Sequence, residues 1–319
     1  MENRRIKKVL ESLNGKNILV TGGLGFIGRS VIEVAHSNSA TITVLDRSRG
    51  QLDSDICMIN DDLLTYDGLD RVVYNSDFII HLVGSLGTDS TFSHLESTVR
   101  DNALASTRLI ELLVKYGRRA VFTMVGNDWL NPYTISKKCA ADLCLMSNLE
   151  SKGDIRVLKV MNAYGPRQLY NHTKKIIPSF MRSSLLDQKM DIFGNGEQII
   201  DLIHSKDVAT ALLLSCLVDE LPLNKYIEMG SGSGISVLEV AKLVRKITNS
   251  NCKIEFQGKR KGEPLNSKTL MTDLSFLNCT GFSPKIDIHR GLEETYKWYL
   301  KNPQFLGIDK LKSNAVLGN

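Results

Sequence analysis

At 319 residues, 42% hydrophobic and 24% charged, the chain has the balance of a soluble globular protein and is long enough for one large α/β unit plus a smaller lobe. No apolar run approaches a membrane span, and Met-Glu-Asn-Arg-Arg-Ile-Lys-Lys lacks the apolar core of a secretion signal, so a cytoplasmic location is expected. The net charge of +5 is spread along the chain without interleaved aromatic and basic residues, which argues against a nucleic-acid partner and leaves room for an anionic small substrate. The six cysteines (57, 139, 144, 216, 252 and 279) include no C-x-x-C pair, so we expect reduced, mostly buried thiols and no metal site.

Residues 1–16 carry Ile6, Val9, Leu10 and Leu13 at helical spacing, which predicts a short amphipathic helix packed on the outside of a sheet. The run Ile18-Leu19-Val20 reads as a buried parallel strand. It stops at a glycine cluster that opens an apolar-periodic segment to His36. Gly22, Gly25 and Gly28 give G-x-x-G-x-x-G, while counting from Gly23 gives G-x-G-x-x-G; the spacing does not choose between them. Either register lets main-chain N–H groups approach a pyrophosphate at a helix N-terminus. A second strand, 41–45, ends in Asp46, placed to accept both hydroxyls of an adenosine ribose. The turn Arg47-Ser48-Arg49-Gly50 comes next. Its arginines could hold a 2′-phosphate, whereas Asp46 would repel one, so NAD is favoured over NADP.

A third strand is predicted near 56–59, leading to Asp61-Asp62-Leu63, and a fourth over 78–83 before Gly84. A loop from Ser85 to Phe92 precedes a long helix, 100–116, with Asn102 near its start and Leu104, Leu109, Leu112 and Leu113 toward the core. A fifth strand, 120–125, ends at Gly126. Strands alternating with helices predict an α/β fold with a Rossmann-type doubly wound parallel sheet, whose ligands lie beyond the carboxyl ends of the strands. His81 and His204 are read as structural.

Pro132-Tyr133-Thr134-Ile135-Ser136-Lys137 opens a helix running to about Leu149, which places Tyr133 and Lys137 on one face. An ammonium there is expected to lower the phenol pKa toward a value useful for proton transfer.

Taken together, Thr21 to Gly28, Asp46, Asp62, Asn102 and Tyr133 to Lys137 resemble the NAD-dependent epimerase/dehydratase family, extended short-chain dehydrogenases that act on nucleotide sugars. The similarity continues through 160–168, 176–180, 192–198, 207–209, 230–232 and 260–263 to the last helix near Trp298. It implies three parts: an N-terminal helical extension (1–16), a dinucleotide-binding domain (17–165), and a mainly substrate-binding C-terminal α/β lobe (166–319) with segments around 197–232 returning to the Rossmann sheet. It implies NAD contacts from Gly22, Gly25, Phe26, Ile27, Gly28, Asp46, Arg47, Asp62 (at the adenine), Leu63, Leu82, Val83, Gly84 and Asn102. Tyr133 would be the acid/base and Lys137 would tune it and hold the nicotinamide ribose. A nucleotide-diphosphate sugar would meet Ser85, Asn162, Ile177, Phe193 and Arg260. A homodimer through helices 100–116 and 133–149 is implied too, with Leu143 and Leu145 as outer apolar positions.

Three departures bear on the reaction. The strand-five hydroxyl of the family aligns with Val125, leaving Thr123 as the nearest candidate; an arginine usual before Asp201 is Ile200; an asparagine usual before the Gly-Ser-Gly turn is Glu228. Relatives that eliminate water or decarboxylate carry an acid just after that hydroxyl, where Met124, Val125 and Gly126 cannot serve, and the direction of Asp128 is unreadable. The sequence therefore points to a 4-epimerase working through transient oxidation at hexose C4. The alternatives are an NADPH-dependent reductase of a 4-keto-6-deoxy nucleotide sugar and a non-catalytic binder.

Overall fold

The computed structural model describes residues 2–309 apart from 172, so His172 and 310–319 of the C-terminal segment lie outside the described residues. The short apolar runs form the parallel strands β1 (Asn17–Thr21), β2 (Thr41–Asp46), β3 (Cys57–Asn60), β4 (Phe78–His81), β5 (Arg119–Val125) and β6 (Asp154–Val160). With Ile227–Met229 beside β6 they make a seven-stranded sheet whose order is Ile227–Met229, β6, β5, β4, β1, β2, β3. β1 pairs with both β2 and β4, in register Val20 to Val44 and Val20 to Ile80. The winding direction reverses there, so the crevice beyond Thr21 and His81 is where a doubly wound sheet takes its ligand.

Both faces of the sheet are covered, which is why its strands are apolar without alternation. Ile18 and Val20 face a cluster shared with helices Phe26–Ser37 and Ser205–Leu217, and Leu19 faces another shared with Leu69, Leu109, Leu113 and Cys144. The helix Glu2–Glu11 adds Ile6 and Leu10 to the first cluster. A third core lies in the C-terminal part, where helices Ile176–Leu186, Val237–Ile247 and Ile288–Lys301 pack around Met190, Ile192, Ile200 and Leu202. Ile199–His204 organises its strands, pairing with Gly234–Ser236, Lys268–Thr269 and Asn162–Tyr164.

Three expectations need correction. Leu104 is 53% exposed, because Arg100–Leu104 is a π-helical turn whose wider spacing breaks the 3.6-residue register assumed from sequence. Leu143 and Leu145 are half-buried against the second cluster, so they are not outer positions. Of the cysteines, Cys144, Cys216 and Cys252 are buried, whereas Cys57, on strand β3 at the sheet edge, and Cys139, on a helix, are exposed. Among the described residues no helix is long and apolar enough to cross a membrane and no group of three or more His, Cys, Asp or Glu side chains could hold a metal ion.

Candidate active site

The glycine turn connects β1 to helix Phe26–Ser37. Gly22 has φ +73°, and a Cβ there would stand 2.9 Å from the backbone of Leu82 and Val83. A Cβ on Gly28 would lie 2.5 Å from the Gly22 carbonyl oxygen, so the helix meets the turn at a distance only glycine permits. The helix begins at Gly25 with no side-chain cap and no acid in its first turn, which leaves its N-terminal amides for an anion. Asp46 closes the other side, its carboxylate accepting the Leu24 N–H at 3.0 Å and the Ser48 N–H at 2.8 Å.

A charged network surrounds this turn. Arg47 pairs with Asp101 at 2.9 Å, Arg100 with Asp62 and Asp101 at 3.1 Å, and the Ser85 hydroxyl donates to Asp101 at 2.7 Å. Asn102 is fully buried; its carbonyl accepts the Ser85 N–H at 2.7 Å and its amide donates to the Ser136 hydroxyl at 2.9 Å. It thereby fixes the chain leaving β4, where a Cβ on Gly84 would collide with it. His81 is held between Thr21 and Ser106, and burial lowers its pKa far below the usual imidazole value. His204 caps the helix Ser205–Leu217, and burial brings its pKa down to about 4.

From the turn a cavity of about 580 Å³ runs into the C-terminal part. Gly25, Phe26, Ile27, Thr123, Tyr133, Lys137, Asn162, Phe193 and Arg260 all line it. Asn131 positions Tyr133 by capping the helix Pro132–Ser151, its side chain accepting the Thr134 N–H at 2.9 Å with Pro132 in the first turn. Lys137, one turn on, is buried and directs its ammonium to the Val83 carbonyl at 3.5 Å, beside the exit of β4. Other predicted residues stay out of the cavity. Ile177 and Leu63 are core side chains, and Asp46, Arg47, Asp62, Leu82, Val83, Gly84, Ser85 and Asn102 build the neighbouring turn and its network.

The expected lowering of the tyrosine pKa is reversed. Burial pushes the Tyr133 phenol up to about 12 and the Lys137 ammonium down to about 8, because each loses hydration and neither gains a counter-ion. The cation that does face the phenol ring is Lys175, 5.9 Å from its centroid. Lys175 was not singled out by sequence, since a lysine before Ile176-Ile177-Pro178 reads as an ordinary surface residue. Ser179 and Gln198, within the segments 176–180 and 192–198 that carry the resemblance, also stand in the wall, as do Asn127 and Trp129, which belong to no motif.

The departures have structural counterparts. Thr123 presents to the cavity a hydroxyl without a hydrogen-bond partner among the described residues. Asp128 turns away to pair with Lys159 at 2.9 Å. Ile200 lines the cavity without charge, and Glu228 accepts the Thr272 and Asp273 N–H groups, anchoring a loop. Buried Asp201 accepts from the Ser231, Gly232 and Met271 amides, which fixes the Gly-Ser-Gly turn.

Several buried polar atoms of the wall are unpaired. Asn162 Nδ2, Ser179 Oγ and Gln198 Oε1 are buried cavity-wall atoms with no partner, a costly arrangement unless a ligand supplies one. With the glycine cradle and Asp46 they suit a dinucleotide adjoining a second polar ligand.

Comparison with known proteins agrees. The model of the NAD dependent epimerase/dehydratase family matches residues 18–222. A UDP-N-acetyl-alpha-D-glucosaminuronate decarboxylase of Bacillus cytotoxicus is 24% identical over 89% of this chain and 98% of its own. A dTDP-glucose 4,6-dehydratase of Streptomyces niveus is 26% identical over 89% and 93%. The crystal structure of a UDP-glucose 4-epimerase of Thermotoga maritima with UDP-glucose superposes with a TM-score of 0.83 at 25% identity, covering 90% and 99%. The chain is thus an NAD-dependent enzyme and belongs to the NAD dependent epimerase/dehydratase family.

Proposed function

We propose that this enzyme is a nucleotide-sugar 4-epimerase. The observation that carries the reading is the strand-five end of the cavity: Thr123, Met124, Val125 and Gly126 line it beside Tyr133, and Asp128, the nearest acid in sequence, is turned to Lys159. By the resemblance, relatives that eliminate water or decarboxylate carry an acid at that place, whereas inversion of one carbinol calls for none. Relatives of similar identity include an epimerase, a decarboxylase and a dehydratase, so this local chemistry discriminates where overall similarity does not.

NAD held by the glycine turn and Asp46 supplies the capacity to accept a hydride from carbon and return it. The chain's own residues do the rest. Tyr133, as the phenolate that cationic charge gathered beside it on ligand binding would favour over the buried phenol, takes the C4 hydroxyl proton as the 4-ketone forms and returns it after the ring has turned; Thr123 donates a hydrogen bond to the same oxygen. Lys137 holds the ribose side of the site. Asn162 and Gln198 offer unpaired polar atoms to the sugar nucleotide, and Arg260, its guanidinium 5.8 Å from the Phe193 ring centroid, offers a fork to a phosphate. The reductase alternative drew on Arg47 and Arg49, but Arg47 is spent on Asp101.

We also propose a homodimer. Leu95, Val99 and Leu104 on one helical stretch and Ile135, Met146 and Leu149 on the next are exposed, Leu149 at 67%, and offer apolar surface to a second copy.

The test is NMR of UDP-, dTDP-, GDP- and CDP-hexoses incubated with the protein. Inversion at C4 without net cofactor consumption is expected, and Tyr133→Phe should lower kcat by about 10²–10⁴-fold. A dehydrated or decarboxylated product, or turnover unchanged in Tyr133→Phe, overturns the reading.

A further inference from the structure

We propose that Asn131 couples the loop 259–263 to Tyr133, so that a ligand seated against that loop sets the tyrosine helix through the bond from the Asn131 amide to the Gly262 carbonyl. Asn131 is then a positioning residue, and this role rests on the nucleotide-sugar reading above and deepens it.

Asn131 is 2% exposed and uses both ends of its side chain. Its Oδ1 accepts the Thr134 N–H at 2.9 Å, which caps the helix Pro132–Ser151, while its Nδ2 donates at 3.3 Å to the carbonyl of Gly262, 131 positions along the chain. A cap needs only the first bond, and serine or aspartate would supply it as well. The second bond reaches a loop that takes no part in the helix. Tyr133 stands two residues beyond Asn131 in the first helical turn, so a shift of the cap moves the phenol with it.

The connection from β5 to this helix, residues 126–131, has little slack in which to lose such a shift. Asp128 is pinned to Lys159 at 2.9 Å, and Asn127 Oδ1 accepts the Thr134 hydroxyl at 3.1 Å and the Trp129 N–H at 3.3 Å. A displacement arriving at Asn131 therefore passes into the helix.

Loop 259–263 turns one side to the cavity and the other to this connection. Arg260 and Glu263 line the cavity; Arg260 donates to the Thr173 carbonyl at 2.7 Å, and the Glu263 carboxylate has no hydrogen bond or ion pair among the described residues. Gly262 lies between them in sequence at φ +76°, where a Cβ would stand 2.9 Å from the Phe92 ring, 3.1 Å from Asn131 Cβ and 3.2 Å from the Thr88 carbonyl oxygen. The Lys261 ammonium lies 4.3 Å from the centroid of the same Phe92 ring. Close packing thus carries movement of Gly262 to Asn131 alongside the hydrogen bond. The cavity side of the loop, with Glu263 unpaired, is completed by a ligand, and completing it fixes Gly262.

The experiment is hydrogen–deuterium exchange of the NAD-loaded protein with and without UDP, dTDP, GDP or CDP, in wild type, Asn131→Asp and Asn131→Ser, with kcat and KM measured for whichever hexose nucleotide turns over. Both variants keep an acceptor for the Thr134 N–H; aspartate has no donor for Gly262, and serine is too short to reach it. In wild type the bound nucleotide should slow exchange about tenfold at 259–263 and also in the first helical turn, 133–135. In both variants the first effect should persist and the second vanish. Melting temperature should stay within about 3 °C and KM within about threefold, while kcat falls about 10- to 100-fold, since a misplacement near 1 Å suffices. If wild type binds a nucleotide without protection at 133–135, the coupling is overturned with no variant needed. Protection there that survives in both variants comes from direct contact with the ligand and overturns it too. So does a kcat unchanged in both variants, or one that falls only in step with melting temperature, either of which leaves Asn131 a cap alone. A wild type that keeps NAD but binds none of the four nucleotides defeats the nucleotide-sugar reading, and this inference with it.

Discussion

The glycine turn and the cavity that runs from it are built on opposite principles. Around the glycine turn nearly every polar group already has a partner within the chain: Asp46 accepts two backbone amides, Asn102 makes three hydrogen bonds, and Arg47, Arg100, Asp62, Asp101 and Ser85 close a network. Toward the C-terminal part the reverse holds. Asn162 Nδ2, Ser179 Oγ, Gln198 Oε1 and the Lys175 ammonium all lack a partner. The glycine turn is thus fixed by the chain's own contacts before any ligand arrives. The C-terminal end of the cavity keeps its hydrogen-bonding capacity unspent and open to a ligand.

Backbone geometry gives the largest test of that contrast. At Gly28 a Cβ would meet the backbone of Gly22 and Gly23 within 2.7 Å, so Gly28→Ala should cost about 3 kcal/mol and remove most NAD affinity. Gly258, in the loop two residues before Arg260, would bring a Cβ near nothing within 4 Å, and Gly258→Ala should stay within about 0.5 kcal/mol. Thermal melting of both with and without NAD decides it; comparable losses would show that the sugar end is as rigid as the turn.

Two asparagines sharpen the comparison. Asn102→Ala strips the Ser85 N–H and the Ser136 hydroxyl of a buried partner and should cost about 2 kcal/mol, measured by denaturant unfolding. Asn162→Ala removes an amide that is itself unpaired and should leave stability within about 0.5 kcal/mol while weakening sugar-nucleotide affinity. A large stability loss at Asn162 would mean that its role is structural.

The same division explains what could be read from sequence. The turn was legible because sterics leave little choice: Gly22 must take φ +73°, Gly28 must admit a carbonyl at 2.5 Å, and Asp46 must end a strand. Tyr133 and Lys137 were legible as a pair four residues apart on one helix. Their protonation was not, because it depends on desolvation by residues distant in sequence. Lys175 meets Tyr133 across 42 positions, through a loop without a motif. Leu104 was misplaced because one wide helical turn leaves no compositional trace.

A smaller effect arises at Lys137. Its folded pKa of about 8 lies below the usual 10.5, so between those values the unfolded chain holds a proton that the folded chain has released. Unfolding then takes up protons, and stability rises as pH climbs from about 8 to 10.5. Lys137→Met lacks this linkage, so its stability relative to wild type should fall by about 2 kcal/mol from pH 7 to pH 10 in the ligand-free protein. A constant difference, measured by urea unfolding across that range, would mean that the ammonium is hydrated in solution and the dinucleotide end less closed than its geometry indicates.

The smallest effect concerns cofactor choice. Arg47 follows Asp46 and could meet a 2′-phosphate, but Asp101 holds its guanidinium at 2.9 Å. Asp101→Asn keeps an acceptor for the Ser85 hydroxyl while weakening the hold on Arg47, so discrimination of NADH over NADPH should fall about fivefold, a little under 1 kcal/mol. Adding Arg47→Ala should restore it, which separates release of Arg47 from general loosening of the network. If fluorescence titration finds the NADH/NADPH ratio unmoved in Asp101→Asn, Asp46 sets the preference alone, and the surrounding ion pairs serve only to hold the strand ends together.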